Sequence, residues 1–422
     1  MTPTEYRDSD ADELTEWVSR NALKLRGMTA GGSTVDIQPL HSILDGVQIV
    51  GLGEATHGTR EFFQLKHRLL EFLVTEMGFS VLAMEASASA APAIDAYVCQ
   101  GVGNGAKALA GLGFWTWHTS EVLAMIEWMR TYNRGRSEAQ KVRFAGIDPQ
   151  QCTASLVLLE ELLQRTAPEH ATDFLAPLRA LSKARPGSHP DAEQQLANEA
   201  TRLLDFIVTK LPKEHEALHH AKILQKAAYL ANHVERQTRT TKSAFAIRDG
   251  FMADAVSELL ADSSAKIVLW AHNAHIATSS HGGSEPTLGQ HLRARHGHAY
   301  YALGLLFNQG AFRARRIVPD VSPGRRIGAV VANKVEAAPV GTVEAHLAAA
   351  DLGDHFLDLR YTHNAPTAVR HWLQSNLDTR LFGSVVPHPI FDAGLRPTVL
   401  VDTYDGLANI AISSPSQPLE AS

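Results

Sequence analysis

The sequence predicts an α/β fold, a mainly parallel sheet flanked by helices, with a helical insertion or cap. Three observations predict it. Short, near-continuously apolar runs such as residues 79–84 read as strands covered on both faces. Helical periods separate such runs: over 59–77, Phe62, Leu65, Leu69 and Phe72 recur every three or four residues. From 153 to 239 the strand signal disappears. That stretch is rich in Leu, Ala, Glu, Lys and Gln and is broken at Pro168, Pro186 and Pro212. Strand–helix alternation around such an insertion is the pattern of a sheet with helices on its faces.

In order, residues 1–46 read as an N-terminal helix (12–24) and a Gly31-Gly32-Ser33 linker. A strand at 47–53, the helix at 59–77 and the strand at 79–84 form one βαβ unit, with Gly78 as the glycine just past the helix. Residues 99–120 are Gly- and Trp-rich and irregular, 121–132 helical, and 142–147 a buried strand closed by Asp148-Pro149. After the insertion come a helix (242–260), a strand (266–270), a helix (288–295) and a strand (300–306). Residues 310–340 read as a loop or hairpin; a strand (356–359), a helix (367–374) and a strand (398–402) complete the alternation. The expected core is thus 47–152 with 240–422, and the insertion 153–239.

Composition narrows the function classes. The 422 residues carry 39 basic and 45 acidic side chains, a formal charge of −6, and are 45% hydrophobic. A mildly acidic globular chain lacks the basic footprint of a nucleic-acid binder and the polybasic patch of a membrane-surface protein. No apolar run reaches the length of a membrane span, and the acidic N-terminus does not resemble a secretory signal, so a cytoplasmic location is expected. Cys99 and Cys152 make neither a disulfide framework nor a cysteine zinc site. Histidine is the anomaly: 21 of 422 residues, roughly double ordinary usage.

In open α/β sheets, ligands bind beyond the carboxyl ends of the strands. The first strand is followed by Gly53-Glu54-Ala55-Thr56-His57-Gly58, the second ends at Glu85, the third at Asp148, and a later one at Trp270-Ala271-His272-Asn273-Ala274-His275. Carboxylates beside histidines orient the imidazole and raise its basicity. The same set, Glu54, His57, Glu85, His272 and His275, has the chemistry for a divalent ion, although no recognised closed ligand spacing is present and no cofactor is required. Rival motifs are weaker. Gly51-x-Gly53 imitates a dinucleotide fingerprint, but Thr56 replaces the third glycine and Glu54 would oppose a pyrophosphate. His215-Glu216-Ala217-Leu218-His219 matches H-E-x-x-H within a charged helix, where a solvated face explains it better. No G-x-S-x-G elbow and no Walker A sequence occur.

Taken together, Gly53 to Gly58 with Glu61-Phe62-Phe63, Val81-Leu82-Ala83-Met84-Glu85, Phe114-Trp115-Thr116-Trp117, Gly146-Ile147-Asp148, Arg248-Asp249-x-x-Met252-Ala253 and Trp270 to Ile276 resemble, in order, the erythromycin esterase family. The resemblance implies an α/β core with a helical portion over a deep cleft. It implies hydrolysis of a macrolide-like lactone without a serine nucleophile, in antibiotic resistance or secondary metabolism. On that resemblance His57 is the general base, Glu54 and Glu85 orient it and the water, and His272 and His275 stabilise or protonate oxygen at the ester. Arg248 stabilises the oxyanion, with an ordinary salt bridge as its alternative. Trp115, Trp117, Lys66, Arg68 and Asp148 are the substrate-binding expectations. Lys66 stands where the family's esterases place an arginine, and lysine lacks the bidentate fork. The residues leave other readings open: a biosynthetic acid–base enzyme performing cyclisation or elimination at the same site, or a non-catalytic binder of a small or haem-like ligand. The expected partner is a small molecule, with no nucleic acid and no membrane.

Overall fold

The computed structural model describes residues 8–189, 193–233, 243–261, 264–280, 285–319, 325–387 and 394–420. The fold is α/β, with a mixed, mostly parallel sheet flanked by helices. Its strands in chain order are β1 (Leu23–Lys24), β2 (Ile49–Leu52), β3 (Val81–Ser87), β4 (Arg143–Asp148), β5 (Ile267–Trp270), β6 (Tyr300–Pro319), β7 (Arg325–Val335), β8 (His355–Asp358), β9 (Asn376–Arg380), β10 (Val385–Pro387), β11 (Leu395–Val399) and β12 (Gly406–Ser413). The chain divides into two compact units. One comprises Met1–Phe79, Thr119–Val122 and Lys266–Ser422; the other comprises Ser80–His118 and Leu123–Ala265.

In the first unit β6 is the organising strand. Its first half pairs in parallel with β2 on one side and β12 on the other. β2 pairs in parallel with β5, β12 pairs antiparallel with β8, and β8 antiparallel with β1. The second half of β6 forms an antiparallel hairpin with β7 and takes β10 in parallel on its other edge. The expected strand at 300–306 is therefore the start of a much longer one. Arg313, Arg315 and Arg316 interrupt the apolar run without ending the strand. The expected strand at 398–402 is corrected. β11 ends at Val399 and pairs with β9 in a separate two-stranded sheet. Leu400–Thr403 is a helical turn that buries Leu400 and Thr403, three residues apart as helix geometry requires. The strand that enters the main sheet is β12. The N-terminal segment packs into this unit: the helix Asp8–Asn21 lies on the helices Val343–Ala349 and Thr367–Gln374.

The helix Arg60–Met77 follows β2 and ends at Gly78, whose φ of 73° is the left-handed conformation glycine tolerates. The chain's last segment straps its start. Arg60 N–H donates to the Ser414 carbonyl at 2.9 Å, and the Ser414 amide donates to Glu61 Oε2 at 2.6 Å.

In the second unit β3 and β4 pair in parallel. The stretch 99–120, expected to be irregular, contains the short helix Gly105–Gly111, capped by the Asn104 side chain. Residues 153–239 hold the helices Thr153–Thr166, Pro168–Leu178, Gln195–Lys210 and His215–Asn232. These helices bury a core of their own that includes Leu159, Leu163, Leu178, Leu203, Ile207 and Leu224. The helix Ala244–Leu259 packs on β4. Among the described residues no helix is long and apolar enough to cross a membrane.

A buried polar chain ties the insertion to the loop after β3. Ser155 donates its amide to Ser89 Oγ at 2.6 Å and its hydroxyl to the same atom at 2.8 Å. The Ser155 oxygen is therefore left to accept from His220 Nδ1 at 2.8 Å. Burial pushes His220 down from 6.5 to about 4. Its imidazole is neutral when folded and takes up a proton more readily when unfolded. Unfolding free energy, measured by urea titration, is expected to fall as pH drops from 6.5 towards 4. His220→Gln should shrink that fall by ~1–3 kcal/mol.

Candidate active site

The loop joining β2 to the helix Arg60–Met77 is squeezed between two neighbours, and its glycines are explained by them. A Cβ on Gly53 would lie 2.0 Å from Asn273 Oδ1, and one on Gly58 would lie 2.0 Å from the Arg313 carbonyl oxygen. Asn273 acts as a cross-brace. Its side-chain amide donates to the Leu305 carbonyl at 2.9 Å and accepts from the Leu305 amide at 3.2 Å. Its main-chain N–H donates to the Glu54 carbonyl at 2.9 Å. Gly53, one of the two glycines that imitate a dinucleotide fingerprint, thus admits a protein atom.

This loop delivers Glu54 to the interior with no exposed side-chain surface. A carboxylate so buried demands donors, and it has three. His57 Nδ1 lies 2.7 Å from Oε1. Lys66 Nζ, one-third along the next helix, donates to Oε2 at 2.7 Å, and Trp270 Nε1, at the end of β5, donates to the same atom at 3.0 Å. Lys66 Nζ also sits 4.4 Å from the Trp270 ring centroid, a cation–π contact in a desolvated setting. Because a carboxylate only accepts, Nδ1 of His57 carries the proton and Nε2 carries the lone pair. That is the tautomer of a base.

His272 packs its ring 4.7 Å, centroid to centroid, from that of His57. It is the N-cap of the turn Asn273–Ile276: Nδ1 accepts from the Ala274 amide at 3.2 Å. Nε2 is 3.0 Å from the carbonyl oxygen of Phe382. Phe382 N–H in turn donates to the Ala55 carbonyl at 2.7 Å. Sequence reasoning missed both this segment and the anchoring role of Trp270. A main-chain carbonyl has no residue signature, so no sequence signal could have found Phe382. Trp270 stood in the recognised motif and could have been noticed. His275 is buried on the same turn.

In the second unit, Arg248 joins two strand-end carboxylates. Nη2 lies 2.8 Å from Glu85 Oε1 and 2.8 Å from Asp148 Oδ2, while Nε lies 3.2 Å from Asp148 Oδ1. Burial alone would lower the guanidinium's pKa, but the two carboxylates outweigh it and hold the charge above its ordinary range. The salt-bridge arrangement is thus present. Asp148 also accepts from the amide of Gln150 at 3.0 Å. Trp117 is buried, with its indole N–H on the Glu85 carbonyl at 3.1 Å, and Trp115 is half-buried.

Two substrate-binding expectations are relocated. Lys66 is spent on Glu54. Arg68 points elsewhere: it pairs with Asp36 and donates to the Gly27 and Ser33 carbonyls, pinning the linker. Residues two apart on a helix do not share a face. Among the described residues no three His, Cys, Asp or Glu side chains are grouped to hold a metal. His215, Glu216 and His219 are exposed on their helix.

Residues 74–411 match the family model for erythromycin esterase. The chain belongs to the erythromycin esterase family. Curated relatives of this family agree: erythromycin esterase type II of Escherichia coli is 25% identical over 95% of this chain and 98% of its own. Among solved structures, a succinoglycan biosynthesis protein superposes with a TM-score of 0.80 at 23% identity, covering 98% of this chain and 100% of that one. An erythromycin esterase mutant, EreC in its open conformation, gives 0.66 at 19% identity over 92% and 96%. At these identities the structural matches show the fold.

Removing one partner from a buried ion pair strands the other. Lys66→Met should therefore lower the unfolding free energy by ~3–5 kcal/mol in denaturant titrations.

Proposed function

We propose that this chain hydrolyses a carboxylic ester or lactone of a bulky, macrolide-like small molecule, with water as the nucleophile. The observation that carries the reading is the Glu54–His57 pair. His57 Nδ1 is held at 2.7 Å by a carboxylate that Lys66 and Trp270 anchor. Nε2 takes a proton from water as the water oxygen bonds to the acyl carbon. The imidazolium that forms is stabilised by the buried Glu54 carboxylate. The tetrahedral intermediate then expels the alkoxide as the acyl C–O bond breaks. The alkoxide takes the proton that His57 holds, which regenerates the base and leaves a carboxylic acid and an alcohol.

The other residues take roles that follow from their engagements. His275, buried on the turn that His272 caps, is assigned to the leaving or carbonyl oxygen. Arg248 fixes Glu85 and Asp148. No metal is required in this reading. The absence of a G-x-S-x-G elbow agrees with water as the nucleophile. The resistance role follows only if the substrate is a macrolide.

The test is a panel of macrolides, lactones and simpler esters assayed in oxygen-18 water. One labelled oxygen is expected in the carboxylate product, and activity should survive extensive chelation. His57→Gln should lower kcat/KM by ~10²–10⁴-fold. Unlabelled product would point to elimination or cyclisation, and unchanged turnover by His57→Gln would overturn the base assignment.

A further inference from the structure

His272 sits one ring away from the proposed base, yet its hydrogen bonds are those of a fastener. The Ala274 amide can only donate, so Nδ1 of His272 carries a lone pair. The Phe382 carbonyl can only accept, so Nε2 carries the proton. Protonating Nδ1 would set one N–H against another. Stripping Nε2 would set a lone pair against a carbonyl oxygen. Either change breaks a bond made to main chain inside a buried site, which is costly.

The residue that receives Nε2 is itself fixed on several sides. Phe382 donates its N–H to the Ala55 carbonyl at 2.7 Å, and Leu381 donates to the Gly394 carbonyl at 2.7 Å. The Arg380 amide donates to Glu344 Oε1 at 2.7 Å, and its guanidinium reaches the carbonyls of Asn308 and Glu336. The Phe382 ring lies 4.9 Å from that of Phe312. Residue 382 thus bonds both chemistry-bearing loops, at Ala55 and at His272, from a part of the chain that carries no recognised motif.

We propose that His272 is a positioning residue, locked as the Nε2–H tautomer, which fastens residues 380–382 to the loop bearing His57 and gives the His57 ring a fixed wall. The proposal deepens, and rests on, the reading of His57 as the base. It predicts no proton transfer by His272 in the reaction.

The test has a part that needs no substrate. Nitrogen-15 spectra of the labelled wild-type protein should show His272 as the neutral Nε2–H tautomer across pH 5–9. A change of tautomer or of charge within that window would overturn the proposal. The kinetic part uses two variants. His272→Gln keeps an amide N–H that can serve the Phe382 carbonyl but cannot transfer a proton. It should retain both limbs of the pH–rate profile and kcat/KM within ~10-fold. His272→Ala should lower kcat by ~10–100-fold with little change in KM, and His272→Gln should restore most of that loss. Loss of one pH limb in His272→Gln, or equal damage by Gln and Ala, would identify a proton donor and sink the idea. If His272→Ala does not fold, the tautomer measurement and His272→Gln still decide. Failure of the base assignment shows separately, as retained activity in His57→Gln.

Discussion

The Glu54 carboxylate is the constraint on which the first unit depends. A fully buried carboxylate is tolerable only when its oxygens are met by donors, preferably charged ones. Here the donors come from three places in the sequence: the loop itself, the following helix and the end of β5. Satisfying one side chain therefore fixes the entry of the helix Arg60–Met77, the twist of the loop and the neighbouring strand end together. The close approaches at Gly53 and Gly58 follow from the same packing. So does the tautomer of His57, since only a protonated Nδ1 can face that oxygen.

What could be read in advance was what local periodicity or strand-end position encodes. The helix Arg60–Met77 ends at the glycine expected, and β2 and β5 fall within a few residues of their expected places. Glu54 and His57 were legible as a strand-end pair, and the structure bonds them. Lys66 and Arg68 were not legible as anchors, because their partners, Glu54 and Asp36, lie 12 and 32 residues away with no motif linking them. β12 was missed because residues 398–402 read as the strand, whereas Leu400–Thr403 is a helical turn. The Phe382 segment was invisible in principle, since it acts through peptide groups that every residue has.

Lys66, expected at the substrate, gains a different meaning once its place is known. Its side chain has no exposed surface and ends on Glu54. Lys66 thus anchors the carboxylate as a point charge resting on an indole ring rather than as a planar fork. Differences in which ester is accepted should be sought in side chains that are not already spent on internal partners.

The strap between Ser414 and the start of the helix Arg60–Met77 has a consequence for biosynthesis. The second unit is drawn almost entirely from one stretch of the middle of the chain, whereas the first is assembled from both ends. β6 lies between β2, near residue 50, and β12, beyond residue 400. On a ribosome, where domains fold as they emerge, the middle can organise while the loop bearing Glu54 and His57 still waits for strands not yet made. The sheet around the loop bearing Glu54 and His57 is thus completed only once β12, beyond residue 400, has been made.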